Sequence, residues 1–467
     1  MSTDPELSFT FEGRRVEARP GQSIAGALHA TGVRTISRGI KYHRPRGYTC
    51  GFGACGDCPL KIDGMPATVS CTTPARGGEV VQREVGLPNS GFDLLRAADL
   101  MRPYLRAGFQ FSLFARQPRL SKLAGSLLGV LAGAGRAPSA EAIERASATR
   151  IVDREADVLV IGGGASGLTA AIAAADAGAR VVLIDQELIG GRSRVRTEPV
   201  RVGTAESRAS DLVEGLLHRA RDHAGIEMLR GSAIGIIDGL VPVVDADGPL
   251  RYDLRPTTVV IATGSYETPL LVEGHDLPGV MLADGALRLA AIEGVRPGRR
   301  AVVVDGDPRS SAVAEELRRH GVEVVATVPV ADVRRVTGWS RASGVSVAAG
   351  ADGADGADGT HGAGTVSRRR RIRADLVCMV GPRRAAEELA LHAAYGEAGS
   401  HEEVLTDAAA VAGARPGGER VSIVGSASGD ASYSLDEAAA AGARLAAVAL
   451  RSVRGSTSHG PSPRTSE

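Results

Sequence analysis

Aromatic residues are scarce: Phe, Trp and Tyr make up 3% of 467 residues, with a single Trp. Any core must be filled by aliphatic side chains, which a hydrophobic content of 43% can supply. Net charge is nearly absent, 55 Lys and Arg against 54 Asp and Glu. Bulk electrostatics therefore give no attraction to nucleic acid or to an anionic membrane. Long apolar runs are missing too. The N-terminal MSTDPELSFTFEGRR has no secretory apolar core, and LAGSLLGVLAGAG (123–135) is too short to span a bilayer. A chain without a membrane span, working in the cytoplasm, is expected. Cysteine is rare, five in all, which excludes a disulfide scaffold. Four of those five nonetheless fall between residues 50 and 71.

The window begins CGFGACGDC and has the spacing C-x4-C-x2-C-x12-C over Cys50, Cys55, Cys58 and Cys71. Thiolates suit zinc or iron–sulfur clusters. Zinc sites usually combine two C-x2-C pairs, whereas one such pair with a C-x4 arm and a distant fourth cysteine is the pattern of a [2Fe–2S] loop. Gly51, Gly53 and Gly56 supply the positive φ angles and close backbone approach that a cluster loop needs. Around the window, LSFTFEGRRVEARPG reads as two strands turning at Glu12-Gly13. QSIAGALHATG reads as a short helix ended by Gly32, and PLKIDGMPATVSC as a hairpin that returns Cys71. Strand, strand, helix, loop, hairpin is the order of a β-grasp ferredoxin-like domain.

After Thr149 the pattern becomes ADVLVIGGGASGLTAAIAAADAGARVVLID: strand, glycine loop, small-residue helix, strand. Within Gly162-Gly163-Gly164-Ala165-Ser166-Gly167 lies the dinucleotide fingerprint. Its first glycine makes the tight turn, its second admits the pyrophosphate, and its third lets helix and strand pack closely. Asp185, at the end of the second strand, can accept ribose hydroxyls. Gln186 and the following Gly191-Arg192 are further candidate contacts. TTVVIATGSYETPLL is a strand ending in Ala262-Thr263-Gly264, a turn suited to close the nucleotide site. VSIVGSASGDASYSLDEAAAAGARLAA supplies a strand, a glycine turn and a long helix, with Gly429-Asp430 at the cofactor end. FAD is the usual guest of this combination, and NAD is the alternative, since Asp185 serves either ribose.

RAVVVDGDPRSSAVAEELRRHGVEVVATV (300–328) has βαβ periodicity but a poor fingerprint, with Pro308 and Ser311 where glycines are needed. It is expected to be structural or to dock a partner. ADGADGADG (351–359) is low-complexity loop, RRRRIR (368–373) an exposed hairpin strand, and Cys378 a buried strand residue. Lys41, His43, Arg44 and Arg46 read either as a solvated loop or as a contact to an anion or flavin phosphate. Spacing places no histidine beside a nucleophile or acid, so no catalytic dyad is assigned.

The cysteine window resembles the [2Fe–2S] domain of molybdenum hydroxylases, whose second four-cysteine domain this chain has too few cysteines to form. GIKYHRPRG (39–47), LLRAADLMRPYLRAGFQFSLFARQPRL and LVEGHDLPGVMLADGAL resemble the α subunits of heterotetrameric sarcosine oxidase and its relatives. Those relatives include hydrogen cyanide synthase, opine oxidase and dye-linked proline dehydrogenase. In sarcosine oxidase proper these cysteines are usually replaced; all four are kept here, which tilts the resemblance toward the dehydrogenase-like relatives. It implies an α/β chain in which a β-grasp [2Fe–2S] domain precedes a glutathione-reductase-like fold with two dinucleotide-binding domains. The expected division is a cluster domain at 1–85, a helical connector at 86–150, an FAD- or NAD-binding domain at 151–295 with 396–453, a degenerate nucleotide-type domain at 296–395, and a disordered tail at 454–467. It further implies a β subunit of the D-amino-acid-oxidase type that oxidises an amine or imino acid at FAD, with FMN at the subunit interface, an electron acceptor, and NAD held without chemistry in sarcosine oxidase α. The alternatives are a self-contained NAD(P)H-dependent reductase and a non-catalytic scaffold.

Overall fold

The computed structural model describes residues 7–40, 42–84, 93–99, 119, 137–186, 189–197, 199–348, 370–398, 420–428 and 434–457. Most of the expected helical connector lies outside them, as do the low-complexity stretch 351–359, Lys41, Gly429 and Asp430. The chain divides into two compact units, Met1–Glu144 with Glu267–Pro382, and Arg145–Tyr266 with Arg383–Glu467.

In the first unit, Leu7–Phe11 and Arg14–Ala18 form the expected hairpin, Glu12 and Gly13 both at positive φ (51° and 76°), as a right-twisted two-residue turn requires. Leu7–Phe11 also pairs in parallel with Val80–Gln82, which joins the second hairpin, Pro59–Ile62 and Met65–Val69, into a five-stranded sheet. The helix Ile24–Ala30 is capped by Ser23, whose Oγ accepts from the Gly26 N–H, and it buries Ile24, Ala27 and Leu28. This is the β-grasp arrangement that the alternating apolar positions implied.

The same unit holds a four-stranded parallel sheet in the order Val280–Leu282, Leu376–Val380, Arg300–Asp305, Glu323–Pro329, covered by the helix Ser310–Arg319. The expected βαβ of 300–328 forms one half of this sheet, with Glu323–Pro329 at its edge. Cys378 is fully buried in it, and burial pushes its thiol up. Arg370–Ile372 pairs antiparallel with Ala342–Val347, so the basic run is a hairpin strand as expected. Packing does not divide the chain at 295/296. Val280–Leu282 hydrogen-bonds in parallel to Leu376–Val380, so residues 267–295 belong with this sheet.

The second unit is built on a six-stranded sheet: Val241–Asp245, Ile226–Ala233, Val181–Asp185, Arg150–Ile161, Leu250–Ile261, Val421–Ile423. Helix Ala165–Asp176 and the long helix Leu435–Thr457 pack against each other and both against the sheet, around Val158, Val160, Leu168, Leu183 and Leu445. That last helix runs on to Thr457, into the segment read as an irregular tail.

Candidate functional site

The strand–helix turn at Gly162–Gly167 sits where the fingerprint predicts. Gly162 has φ +109°, and a Cβ there would lie 2.2 Å from the Ala262 carbonyl oxygen. A Cβ on Gly167 would lie 1.8 Å from the Gly162 carbonyl oxygen, so only glycine lets the helix start this close to its strand. Gly164 caps the helix without a side chain of its own, so the backbone of the first turn can be approached closely. The Gly163 N–H donates to Asp185 Oδ2 at 2.7 Å, which holds the acid at the loop.

These residues border a cavity of about 250 Å³ lined by Gly162, Gly164, Ala165, Ser166, Asp185, Gln186, Gly191, Arg192, Ala262, Thr263 and Gly264. The structure thus gathers into one hollow the whole set proposed from sequence, apart from Gly163 and Gly167, which shape its backbone, and Gly429 and Asp430, which lie outside the described residues. Gly425 and Ser426 of the same C-terminal turn do line it.

Sequence reasoning missed Ser193, Arg196, Tyr266 and Glu388, which also line the cavity. Ser193 Oγ accepts from the Ala165 N–H at 3.0 Å. Arg196 is buried and donates to Ser426 Oγ at 3.0 Å and Ser265 Oγ at 2.9 Å. The Arg192 guanidinium lies 5.1 Å from the Tyr266 ring centroid. The only signal was the alternating RSRVR after Gly191, which places Arg192, Arg194 and Arg196 at intervals of two. A hollow with a glycine cradle at one end, an acid beside it and two guanidinium groups in its wall fits a dinucleotide.

In the first unit, Cys50, Cys58 and Cys71 are buried and Cys55 is exposed. Among the described residues no three His, Cys, Asp or Glu side chains surround one point suited to a single ion. The sulfurs are instead joined pairwise, Cys55 with Cys50 and Cys71 with Cys58, and Cys50 with Cys71 links the pairs. Hydrogen bonds from Cys55 and Cys71 hold the Cys50 thiol well below its usual range, and the same contacts push Cys55 and Cys71 up. A contact from Cys71 lowers the Cys58 thiol as well, so where the sulfurs crowd together two thiols are shifted down and two up.

Gly51, Gly53 and Gly56 carry φ of +75°, +76° and +70°, the left-handed turns expected of the loop. The loop also has a fixed floor. Leu282 N–H donates to the Thr49 carbonyl at 3.0 Å, and a Cβ on Gly285 would lie 2.3 Å from that same oxygen. Four soft donors in two pairs on a glycine-turned loop fit a [2Fe–2S] cluster, which takes two thiolates on each iron.

The basic cluster behaves differently from either expectation. His43 Nδ1 lies 2.8 Å from Asp93 Oδ2, and both side chains are buried. Arg44 pairs with Asp99 and Asp276, and Arg46 with Asp276 at 3.0 Å. Acids distant in sequence meet these cations, so the cluster is an internal ion-pair network rather than a solvated loop. Lys41 lies outside the described residues.

The degenerate nucleotide-type fold has its turn occupied. A Cβ on Gly306 would lie 2.7 Å from the Leu270 side chain. Arg309 pairs with Asp307 at 2.8 Å and with buried Glu267 at 3.3 Å. The shallow hollow beside it is lined by Asp305, Asp307, Ser310, Ser311 and Arg318, so two carboxylates share with one guanidinium the place where phosphates would have to bind.

Comparison with known proteins agrees with this geometry. Residues 4–86 match the 2Fe-2S iron-sulfur cluster binding domain, and residues 156–412 match the pyridine nucleotide-disulphide oxidoreductase family. The chain is 32% identical over 346 residues to the alpha subunit of sarcosine oxidase from Rhizobium meliloti (strain 1021), covering 69% of this chain and 34% of that protein. It is 26% identical to the alpha subunit of sarcosine oxidase from Corynebacterium sp. (strain P-1), covering 74% and 32%. It is 32% identical to an opine oxidase subunit of Agrobacterium tumefaciens (strain Ach5), covering 36% and 35%. The chain spans about a third of the length of the curated relatives it matches. Among solved structures, L-proline dehydrogenase from P. horikoshii has the same fold, with a TM-score of 0.63 at 19% identity over 97% of this chain and 75% of that one. These matches support the expected [2Fe–2S] cluster and FAD. Among the described residues no helix is long and apolar enough to cross a membrane.

Proposed function

The chain belongs to the pyridine nucleotide-disulphide oxidoreductase family, and from that premise we propose that it is the electron-carrying subunit of an amine or imino-acid dehydrogenase or oxidase. Substrates of the sarcosine, proline, opine or glycine type are oxidised on a partner subunit of the D-amino-acid-oxidase type, and FMN lies at the interface with that partner. The observation that carries this reading is the presence, in one polypeptide, of paired thiols on a glycine-turned loop and of a dinucleotide cavity. When bound, the flavin supplies two-electron chemistry and the cluster one-electron chemistry.

The residues have separable tasks. The Gly162–Gly167 turn and the first turn of its helix, where Ser193 also stands, receive the pyrophosphate. Asp185, held at the loop by the Gly163 N–H, accepts from ribose hydroxyls, and its charge disfavours a 2′-phosphate. Arg192 and Arg196 place positive charge in the cavity wall, and Tyr266 gives it an aromatic face. Cys50, Cys55, Cys58 and Cys71 hold the cluster, and the loop glycines bring backbone N–H groups to its sulfurs. FAD is the guest proposed for the cavity, NAD being the other dinucleotide that the same contacts admit. The division into a cluster domain, a nucleotide-binding domain and a degenerate nucleotide-type domain follows these tasks, and the working compartment is the cytoplasm.

The test is anaerobic purification of the full chain with its co-expressed neighbouring gene product, followed by iron, sulfide and released-nucleotide analysis. Turnover of sarcosine, proline, glycine and opines is then screened with an artificial dye. Iron, a flavin and dye reduction with one of these amines are expected, and Cys58→Ser is expected to lose iron and at least 10-fold in dye reduction, since a missing thiolate leaves one iron short of a ligand. A colourless protein, or full iron and turnover in the Cys58→Ser variant, overturns the proposal.

A further inference from the structure

The floor beneath the cysteine loop contains a charged pair that the cluster fold itself does not require. Helix Ala283–Leu287 continues into a single π-helical turn, Arg288–Ile292, closed by a bond from the Glu293 N–H to the Arg288 carbonyl at 3.1 Å. In an α-helix, residues five apart point about 140° away from each other around the axis. The wider turn brings Arg288 and Glu293 to the same side, and Arg288 Nε donates to Glu293 Oε1 at 3.1 Å. Such turns are rare and are frequent at functional sites.

Arg288 lies against the loop that carries the thiols. Its guanidinium carbon is 5.0 Å from the Phe52 ring centroid, between Cys50 and Cys55 in sequence. Its Cδ is 3.2 Å from where a Gly51 Cβ would be. Glu293 stands behind it, with its side chain fully buried. Among the described residues the carboxylate accepts from Ser23 N–H at 3.2 Å, Ser23 Oγ–H at 3.0 Å, Tyr48 O–H at 3.2 Å and Arg288. It reaches the loop only through Tyr48, whereas Arg288 touches the loop directly. The positive end of the pair therefore faces the thiols and the negative end faces away. A Cβ on Gly26 would lie 1.6 Å from Glu293 Oε2, so the backbone of the first helix is cut away to admit this carboxylate.

We propose that Arg288 is the fixed charge that sets the reduction potential of the cluster on this loop, and that Glu293 is the positioning residue that holds it there. The inference rests on the reading of Cys50, Cys55, Cys58 and Cys71 as cluster ligands. Reduction adds one electron, converting one ferric iron to ferrous with no bond broken, so the centre gains one negative charge. A buried cation beside it favours the reduced state and raises the potential, and the low local dielectric strengthens the effect.

The experiment is a dye-mediated titration of the full chain with dithionite, followed by electron paramagnetic resonance, on the wild type, Arg288→Gln, Arg288→Lys and Glu293→Gln. Iron and sulfide are counted in each. Arg288→Gln is expected to lower the midpoint potential and Arg288→Lys to stay near the wild type. Glu293→Gln keeps an acceptor for Arg288 while removing the countercharge, and is expected to raise it. These opposite signs mark a charge effect, since a purely structural clamp would shift both variants the same way or cost both their iron. An unchanged potential in iron-replete Arg288→Gln overturns the inference. Should Arg288→Gln fail to hold iron, a fall or no change in Glu293→Gln overturns it. A wild-type chain that holds no iron overturns the cluster reading itself, which is a different and separable result.

Discussion

Burial holds the His29 imidazole down at about 3 against its ordinary 6.5, and the nearby Arg34 guanidinium lowers it further. The ring is neutral in the fold, and Nε2–H donates to the Pro297 carbonyl at 3.0 Å. Because the folded value lies below the unfolded one, the unfolded chain binds more protons between pH 6.5 and 3. Stability is therefore complete above that window and is lost as the pH falls through it, by about 1.4 kcal/mol per unit. His29→Gln, which keeps a donor and cannot titrate, is expected to remove about 2 kcal/mol of the loss between pH 6.5 and 5. Urea unfolding at the two pH values measures this, and identical slopes in wild type and variant would rule it out. Nothing in QSIAGALHATG marks that histidine as deeply buried, since its cover, Pro297, lies 268 residues away. The cysteines and the fingerprint glycines were legible for the opposite reason. Their chemistry is set by neighbours in sequence, by spacing and by φ, and those are written locally. Arg196, Ser193 and Glu293 act through partners distant in the chain and leave no local pattern.

At the scale of the element, periodicity carried the β-grasp hairpins, the fingerprint strand–helix–strand and the βαβ of 300–328 into the observed fold. Two elements stayed hidden. Val280–Leu282 is three residues long, too short to show alternation, and its membership is decided by pairing with Leu376–Val380. The π-helical turn after Leu287 sits in ADGALRLAAIEG, which reads as ordinary helix, because its register is fixed by the Arg288–Glu293 contact and not by composition. The long C-terminal helix was legible as a helix, but its close approach to the fingerprint helix was not. A Cβ on Gly442 would lie 2.1 Å from the Ala170 carbonyl oxygen, so the two helices meet backbone to backbone at this point. Gly442→Val must push the fingerprint helix out of place, and overpacking of this kind costs about 1–3 kcal/mol. The variant is expected to melt several degrees lower and to bind its dinucleotide more weakly, because the displaced helix carries the cradle. Calorimetry with nucleotide quantification checks both, and a melting temperature equal to the wild type would show that the helices can part without cost.

For the whole molecule, two nucleotide-type folds in one chain raise the question of which accepts a ligand from solution. The fold carrying Gly162–Gly167 keeps every feature a pyrophosphate needs. The one carrying Gly306 has lost them one by one. Pro308 has no N–H to offer and Ser311 replaces the third glycine. Leu270 fills the space beside Gly306, and Asp305 and Asp307 present negative charge at the turn. Arg309, the cation paired with Asp307 at the turn, is also held by Glu267, whose side chain is essentially dry. Breaking that buried pair to admit a phosphate would leave an uncompensated charge, at a cost of about 3–5 kcal/mol. Even the favourable binding free energy of a micromolar ligand, about 8 kcal/mol, would lose most of its affinity to that penalty. NADH and NADPH are therefore expected to give no dye reduction above background with the purified full chain, at concentrations up to the millimolar range. Under the same conditions, an amine substrate with the proposed partner subunit present is expected to support turnover. Saturable reduction by micromolar NADH, in a chain whose released nucleotide shows FAD filling the Gly162 cavity, would show that the Gly306 turn opens after all, and would make the chain a reductase in its own right rather than a carrier for electrons taken elsewhere.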